Sequence, residues 1–223
     1  MIRQVTAFFL SLALFQAVAE SACSGRAVYR VTFTNLLTAE NFGDLIPPNG
    51  LVFSPLAGAS HSNRFSFFTI RGFASPQVEQ IAETGQNGRF VTQAKNMQRT
   101  GKVFTVAAAD GPSLPGTDTS LFFAVDCARP FITMLGMIAP SPDWIVQINN
   151  RNMFRNGMFI PRENGTLIAY DTGTDDGREF TPPGDASLDM PTEPQMNIVP
   201  LVEDETDRFE GRIVGRFNIM RIQ

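Results

Sequence analysis

The chain has 223 residues, of which 43% are hydrophobic and 18% are charged, so it suits one compact domain rather than a disordered chain. Its 18 basic and 22 acidic side chains give a formal charge of -4, which argues against a nucleic-acid partner. One histidine and two cysteines are too few for a zinc finger or an iron-sulfur cluster. Any metal ion must therefore be held mainly by oxygen atoms.

The N-terminal residues have the pattern of a secretory signal peptide. Arg3 precedes an uncharged and mostly apolar run, Val5 to Val18, which is followed by the small residue Ala19. The run is shorter than the roughly 20 apolar residues of a membrane-spanning helix, so we expect no transmembrane segment. The sequence therefore predicts a signal peptide at 1–19, a single domain at 20–223 and secretion to the extracellular space.

Secretion changes how the two cysteines are interpreted. An oxidising compartment favours pairing of Cys23 with Cys127, which would join the start of the mature chain to the middle of the domain. Two separate thiols are the alternative, because sequence spacing does not show that the residues lie close enough to bond.

Short runs rich in Val, Ile, Phe and Thr follow Cys23. At 29–34, apolar and polar residues alternate as in a strand with one buried face and one solvated face. The breaks between runs carry Pro, Gly, Asn and Asp, which favours an all-β fold, an antiparallel β-sandwich. Further strands are expected at 51–53, 64–70, 102–107, 120–126, 131–138, 144–148, 166–170, 197–201 and 212–222.

One segment clearly predicts a short helix. Ser75 is a suitable N-cap, Pro76 suits the first helical position, and Gly85 is suited to ending the helix. The proline-rich stretch 178–195 is expected to be a surface loop.

The single histidine does not complete a catalytic motif. His61 lies in Gly58-Ala59-Ser60-His61-Ser62, which begins like a nucleophile elbow but has Ser62 where that turn needs glycine. We therefore expect His61 to be a hydrogen-bonded residue of a turn, and we expect no enzymatic activity. A secreted hydrolase with a pair of acidic residues is the less favoured alternative, since sequence does not give the separation of carboxylates in space.

Carboxylates and glycines are concentrated at 171–177. Asp171 and Asp175 are four residues apart, and the glycines of this turn allow several oxygen atoms to converge on one point. Oxygen-rich turns of this kind are typical of calcium sites, although the spacing is not that of an EF-hand. A solvated acidic loop is the alternative, and a calcium ion would need further carboxylates from elsewhere in the chain.

Several motifs together resemble the spondin domain of the F-spondin and mindin family of secreted matrix proteins. They occur in the family's order, and the Ala-Pro-Ser-Pro-Asp-Trp run is the most specific of them. The motifs are Leu56-Ala57-Gly58-Ala59-Ser60-His61-Ser62, Gly72-Phe73-Ala74-Ser75 with Gln80-Ile81-Ala82-Glu83-Thr84-Gly85, Met137-Ile138-Ala139-Pro140-Ser141-Pro142-Asp143-Trp144, and Asp171-Thr172-Gly173-Thr174-Asp175-Asp176-Gly177. The resemblance implies a C2-like β-sandwich of about eight main strands, here as a solitary secreted domain.

The resemblance also implies a calcium ion (Ca2+) held by Asp143, Asp171 and Asp175. Asp176 would substitute for Asp175 if the turn were offset by one residue. Trp144 would pack in the core beside the site, where its indole N–H needs a hydrogen-bond partner.

The function implied by the resemblance is a non-catalytic, calcium-binding module for extracellular matrix or cell-surface adhesion, whose partner is an extracellular protein or glycan. A calcium-dependent glycan- or lipid-binding module is the alternative. Asn164 begins the only N-glycosylation sequon of the chain, Asn164-Gly165-Thr166.

Overall fold

The computed structural model describes residues 25–177, 179–180, 195–204 and 207–223. The predicted signal peptide, Cys23 and most of the proline-rich stretch lie outside the described residues. The strands in chain order are β1 (Arg26–Asn35), β2 (Val52–Phe53), β3 (Ala57–His61), β4 (Val103–Ala108), β5 (Asp118–Asp126), β6 (Phe131–Ala139), β7 (Trp144–Asn152), β8 (Phe154–Arg155), β9 (Met158–Phe159), β10 (Arg162–Leu167), β11 (Ala169–Asp171), β12 (Val199–Pro200) and β13 (Gly215–Arg221). The helices are α1 (Ala39–Phe42), α2 (Pro76–Thr84) and α3 (Gly88–Arg99), with 3-10 helices at Gly43–Leu45 and Leu201–Glu203.

The strands form two main antiparallel sheets. One has four strands in the order β10-β13-β1-β5, and the other has the order β12-β11-β7-β6-β3-β4, with β2 paired to β6 beside that path. The strands β8 and β9 form a separate hairpin. These pairings confirm the predicted all-β antiparallel sandwich, which we expected from the alternation in β1.

The core between the sheets is built by the alternating pattern of β1. Tyr29, Val31 and Phe33 are completely buried and belong to the same apolar cluster as Met134 of β6 and Val146 of β7. Burying side chains of this size stabilises a fold by roughly 1.5–3 kcal/mol each. The solvated residues between them face outward, so a sequence of period two specifies the face of the sheet that becomes core.

A second apolar cluster lies on the opposite face of the larger sheet. Val78 and Ile81 of α2 and Phe90 of α3 pack with Leu135 of β6 and Ile145 of β7. The strand β6 is therefore covered on both faces, and eight of its nine residues are buried. This explains why its sequence is almost continuously apolar instead of alternating. Within the described part of the chain, no helix has the length and apolarity needed to cross a lipid bilayer.

The predicted helix is confirmed as α2, but the expectation of a single short helix was wrong. The helix α3 was missed because its apolar signal is weak: only Phe90 and Ala94 are buried. Its N-cap, Asn87, forms no side-chain capping bond, and the free N–H of Arg89 instead donates to Gln80 Oε1 of α2 at 3.1 Å. A cap supplied by a neighbouring helix leaves no local signal in the sequence.

The prediction of a strand at 64–70 was also wrong, because these residues form turns and irregular backbone. The strand β3, which precedes them in the chain, was not predicted. The residues of β3 are small, yet all of them are buried. A Cβ atom on Gly58 would lie 2.6 Å from the carbonyl oxygen of Thr133, so the close approach of β3 to β6 requires glycine there. Small residues have low strand propensity, so the sequence did not predict β3 as a strand.

Candidate functional site

The acidic residues singled out in the sequence come from two connections at one end of the sandwich. Asp143 ends the turn between β6 and β7, and Asp171 is the last residue of β11. Antiparallel pairing places Asp171 opposite Trp144, the residue that follows Asp143. Sheet register therefore brings together two carboxylates that are separated by 28 positions in the sequence.

Asp143 is completely buried. One of its carboxylate oxygens accepts hydrogen bonds from the turn at 171–177, which we call the acidic turn. Its Oδ2 accepts hydrogen bonds from the backbone N–H groups of Thr174 at 2.8 Å and Asp175 at 3.2 Å. The hydroxyls of Thr172 and Thr174 lie 3.0 and 3.2 Å from the same atom. By contrast, Oδ1 of Asp143 is buried and has no hydrogen-bond partner. Such an atom is unusual, because buried polar atoms are normally satisfied.

The electrostatics of the site disfavour two negative charges. Burial raises the pKa of Asp143, although its four donors partly oppose the effect. Burial also raises the pKa of Asp171, and the nearby charge of Asp143 raises it further. Asp204, which follows the 3-10 helix after β12, adds a smaller repulsion in the same direction. A positive charge at this point would relieve all of these unfavourable interactions.

Asp175 takes part through its backbone more than through its carboxylate. Its N–H binds Asp143, while its Oδ1 accepts a hydrogen bond from the N–H of Gly177 at 2.6 Å. In the described residues, no three His, Cys, Asp or Glu side chains form a group able to hold a metal ion. The structure thus brings Asp143 and Asp171 together, and it leaves the Asp175 carboxylate engaged in its own turn. Asp176 is exposed, so Asp175 is the inward-facing residue of the pair.

Trp144 lies in the core beside these carboxylates, as expected. It is fully buried and packs edge to face against Phe180 and Phe209, with ring centroids 5.8 and 5.6 Å apart. Its indole N–H lies near Asp171 and favours the charged carboxylate, without reaching the geometry of a full hydrogen bond. The expected partner of this N–H is therefore only partly supplied.

Sequence reasoning missed two groups of residues at the site. The hydroxyls of Thr172 and Thr174 contact Asp143, and two threonines inside an otherwise acidic and glycine-rich turn were the only signal in the sequence for this role. Asp204 lies far along the chain and had no such signal.

The remaining predicted residues lie away from this end. Cys127 follows β5 and is not a free thiol, but Cys23 lies outside the described residues, so their disulfide stays a prediction. Asn164 is exposed on β10, opposite Asn218 of β13. An attached glycan would therefore project from the outer face of the smaller sheet.

His61 was expected in a turn, but it is the last residue of β3. It is fully buried: its Nε2 lies 2.9 Å from the hydroxyl of Thr133, and its Nδ1 lies 3.1 Å from the carbonyl oxygen of Ser62. Because that carbonyl can only accept, Nδ1 carries the proton in the neutral imidazole. The hydroxyl of Ser60 donates to the carbonyl oxygen of Ala124 at 2.6 Å. These contacts link β3 to β6 and to β5 of the smaller sheet. They do not pair a nucleophile with a base.

Comparison with known proteins agrees with this architecture. The Spondin_N family model matches residues 27–209. Spondin-1 of Rattus norvegicus is 31% identical over 187 residues, which cover 81% of this chain and 22% of that protein. Spondin-1 of Homo sapiens is 30% identical with the same coverage, and Spondin-2 of Homo sapiens is 28% identical over 181 residues, which cover 78% of this chain and 54% of that protein. The chain thus spans about a fifth of the length of Spondin-1 and about half of Spondin-2. The match over most of the chain, together with the sandwich fold, shows that this chain belongs to the Spondin_N family.

Proposed function

We propose that the protein is a secreted, non-catalytic calcium-binding module of extracellular matrix or cell-surface adhesion. Membership of the Spondin_N family supports the adhesion role, and the signal-peptide pattern at 1–19 supports secretion. The partner is an extracellular protein or glycan. Because the chain covers only part of its relatives, this role is proposed for the domain alone.

The calcium proposal rests on one observation, the unpartnered and buried Oδ1 of Asp143. An isolated buried carboxylate oxygen is unfavourable by roughly 1–3 kcal/mol, and more when it is charged. A hard divalent cation satisfies such an oxygen and stabilises the charged forms of Asp143 and Asp171 together. Neutral hydrogen-bond donors already occupy Oδ2, so Oδ1 is the atom left for a ligand.

The proposed ligands are the carboxylates of Asp143, Asp171 and Asp175, with backbone oxygens and water completing the shell. In the proposed site, the Asp175 carboxylate, whose Oδ1 accepts the N–H of Gly177, would also contact the ion. Three carboxylates around one divalent ion leave about one excess negative charge.

The same geometry disfavours a hydrolase. Raised pKa values in a pair of carboxylates are also seen in general acids, but Asp143 has no exposed surface through which a substrate could reach it. His61 is buried within the sheet and lies at the opposite end of β3 and β6 from the acidic turn. The carboxylates are thus better placed to bind an ion than to transfer protons.

A calcium-dependent lipid-binding role is the second candidate, favoured by two exposed apolar side chains. Met196 is 59% exposed, and its N–H donates to the carbonyl oxygen of Gly173 in the acidic turn. Phe73 is 65% exposed and pairs with Asn197 on the same segment. Sedimentation with anionic vesicles, in calcium and in chelator, separates this role from protein adhesion.

Calorimetric titration of the chelator-stripped mature protein with calcium tests the proposed site. We expect one ion to bind with a dissociation constant of about 0.1–1 mM, as in extracellular calcium modules. The variant Asp143→Asn should lose this binding. The matched control is Asp110→Asn, since Asp110 is exposed between β4 and β5 and forms no hydrogen bond within the described structure; it should bind as the parent does.

Trp144 provides a second reading of the same experiment. It is the only tryptophan and lies beside Asp171, so calcium should change its fluorescence in the parent and in the Asp110 control but not in Asp143→Asn. Unchanged calorimetry and fluorescence in Asp143→Asn, relative to the parent, would remove Asp143 from the site and with it the calcium proposal.

A further inference from the structure

A cavity of about 710 Å³ lies at the end of the sandwich opposite the acidic turn. Its wall includes Phe131, at the start of β6, and Asn152, at the end of β7, whereas Asp143 lies in the turn that joins the other ends of these two strands. The volume falls in the range of roughly 300–1,000 Å³ that is usual for small-molecule sites. The cavity is therefore separate from the proposed calcium site and large enough for an organic ligand.

The charge of this cavity is positive, although the chain as a whole is acidic. Among the described lining residues, Arg64 and Lys102 are basic and none is acidic, and neither cation forms an ion pair within this part of the chain. Asp126, which is adjacent in sequence to the lining residue Cys127, is already paired with Arg129. Unpaired cations in a cavity without carboxylates favour an anionic group on the ligand.

Local structure holds Lys102 at the rim. The helix α3 ends in a Schellman motif: the N–H of Lys102 donates to the carbonyl oxygen of Met97 at 3.0 Å, and the N–H of Gly101 donates to that of Gln98 at 3.1 Å. These bonds occupy carbonyl groups whose negative ends would otherwise face an approaching anion. The carbonyl oxygen of Lys102 accepts the N–H of Ser62 at 2.9 Å, which ties the rim to the turn that carries Arg64.

The remaining lining groups suit a sugar better than a simple ion. Phe131 and Phe154 present half-buried rings, which can pack against the apolar face of a pyranose. The side chain of Asn63 forms no hydrogen bond within the described structure. Asn152 uses its Oδ1 to accept the N–H of Phe154, which leaves its amide donors for a ligand hydroxyl.

We propose that this cavity binds an acidic saccharide, whose sulfate or carboxylate group contacts Arg64 and Lys102 and whose ring packs against Phe131 and Phe154. The cavity requires no calcium, so it is independent of the acidic site at the other end. Sulfated and uronic sugars both carry negatively charged oxygen atoms, which Arg and Lys side chains bind.

Calorimetry on the mature protein in the presence of EDTA tests the proposal. The titrants are a heparin-derived oligosaccharide, a hyaluronan oligosaccharide, an uncharged chitin oligosaccharide and sodium sulfate. We expect one or both acidic oligosaccharides to bind, and the double variant Arg64→Gln/Lys102→Gln to weaken that binding at least about tenfold. The matched control, Arg30→Gln/Lys95→Gln, removes the same charges from exposed positions on β1 and α3 and should bind as the parent does.

Each other outcome overturns the proposal. Equal weakening in the control variant would show attraction to net charge instead of a site. Sodium sulfate binding as tightly as the oligosaccharides would show a plain anion site, and equal binding of the uncharged sugar would remove the role of the cations. Absence of binding of either acidic oligosaccharide to the parent would also overturn it. So would unweakened binding in the double variant, and melting temperatures equal to that of the parent would show that the variants are folded. None of these results bears on calcium binding, because EDTA is present throughout.

Discussion

Asp143 shows how strongly one residue can be constrained by its surroundings. Four donors converge on its Oδ2, while Oδ1 in the same carboxylate has no partner. A sequence optimised for stability alone would give both oxygens hydrogen-bond partners, or would carry a neutral residue at this position. The arrangement suits the proposed calcium site, in which hydrogen bonds would fix one oxygen and the other would bind the ion.

The raised pKa values of Asp143 and Asp171 predict an unusual pH dependence in chelator. Their folded pKa values lie above the unfolded value of about 3.8, so their contribution to the free energy of unfolding is full below that pH and is lost as the pH rises. Calcium reverses the trend, because it binds the charged carboxylates. The contribution of these two groups to the melting temperature in EDTA should therefore fall from pH 4 toward neutral pH, and the difference between calcium and EDTA should widen.

The variant Asp143→Asn serves as the control for this prediction. It removes one titrating group and the repulsion that acts on Asp171, so the fall in EDTA should become shallower. Parent and variant curves that remain parallel from pH 4 to pH 8 would contradict the assignment.

His61 makes the opposite prediction at the other end of the sheet. Burial lowers its pKa from 6.5, and the carbonyl contacts at Ser62 and Phe65 offset only part of the effect. Its contribution to the free energy of unfolding is therefore present above pH 6.5 and is lost as the pH falls below that value.

The chain has one histidine, so proton NMR can follow its imidazole C–H resonance without overlap from another histidine. We expect a titration midpoint below 6.5 in the folded protein and near 6.5 in urea. A folded midpoint at or above the value in urea would show that His61 is not buried as described.

At the scale of elements, the acidic turn depends on the segment at 195–198. The N–H of Met196 donates to the carbonyl oxygen of Gly173, and the N–H of Ile198 donates to that of Gly72, so this segment joins two connections. Gly173 has a φ of 69°, and a Cβ there would lie 2.6 Å from the backbone of Met196. The turn therefore needs glycine both for its backbone conformation and for close contact.

We predict that Gly173→Ala lowers the free energy of unfolding by about 2–4 kcal/mol, since strain and a backbone clash act together. The control is Gly101→Ala, which has a φ of 75° but open space around the new methyl group, and which should lose only about 1 kcal/mol. Urea denaturation of both variants measures the difference. Equal losses would mean that the Met196 segment can move away without consequence.

Sequence predicted the elements whose own residues carry the pattern. The alternation in β1 and the cap-to-glycine pattern of α2 reflect interactions within one element, and both were confirmed. Even in α2 the detail differed, because Ser75 is extended as an N-cap should be but its hydroxyl makes no capping bond. The strand β3 and the helix α3 depend on neighbours in space, and those two were missed.

The same distinction applies to the site. The acidic turn could be found from its own residues, and the pairing of Asp143 with Asp171 required knowledge of the family. The unpartnered oxygen and the contribution of Asp204 depend on burial and on register between distant strands. No pattern of residue types encodes these quantities locally.

At the scale of the whole molecule, we predict a disulfide between Cys23 and Cys127, the two cysteines of the chain. Disulfides typically stabilise a fold by about 2–4 kcal/mol, and closure of a loop of about 100 residues places this one toward the upper end, about 4–5 kcal/mol. Peptide mapping without reductant should recover the two cysteine peptides as one linked species, and reduction should lower the melting temperature. Alkylation of both thiols in denaturant without prior reduction would exclude the bond.

The strand β6 runs from the cavity that Arg64 and Lys102 line to the end of the sandwich that carries Asp143 and the acidic turn. Its nine residues span about 27 Å, because each step along an antiparallel strand rises about 3.4 Å. In the proposed roles, a saccharide held in the cavity and a surface contacted at the calcium-binding end would lie about this far apart, so one copy of the protein would act as a rigid spacer between them. Tethering of this kind gains strength from valency, so a network of these molecules would be far more adhesive than the affinity of either end suggests.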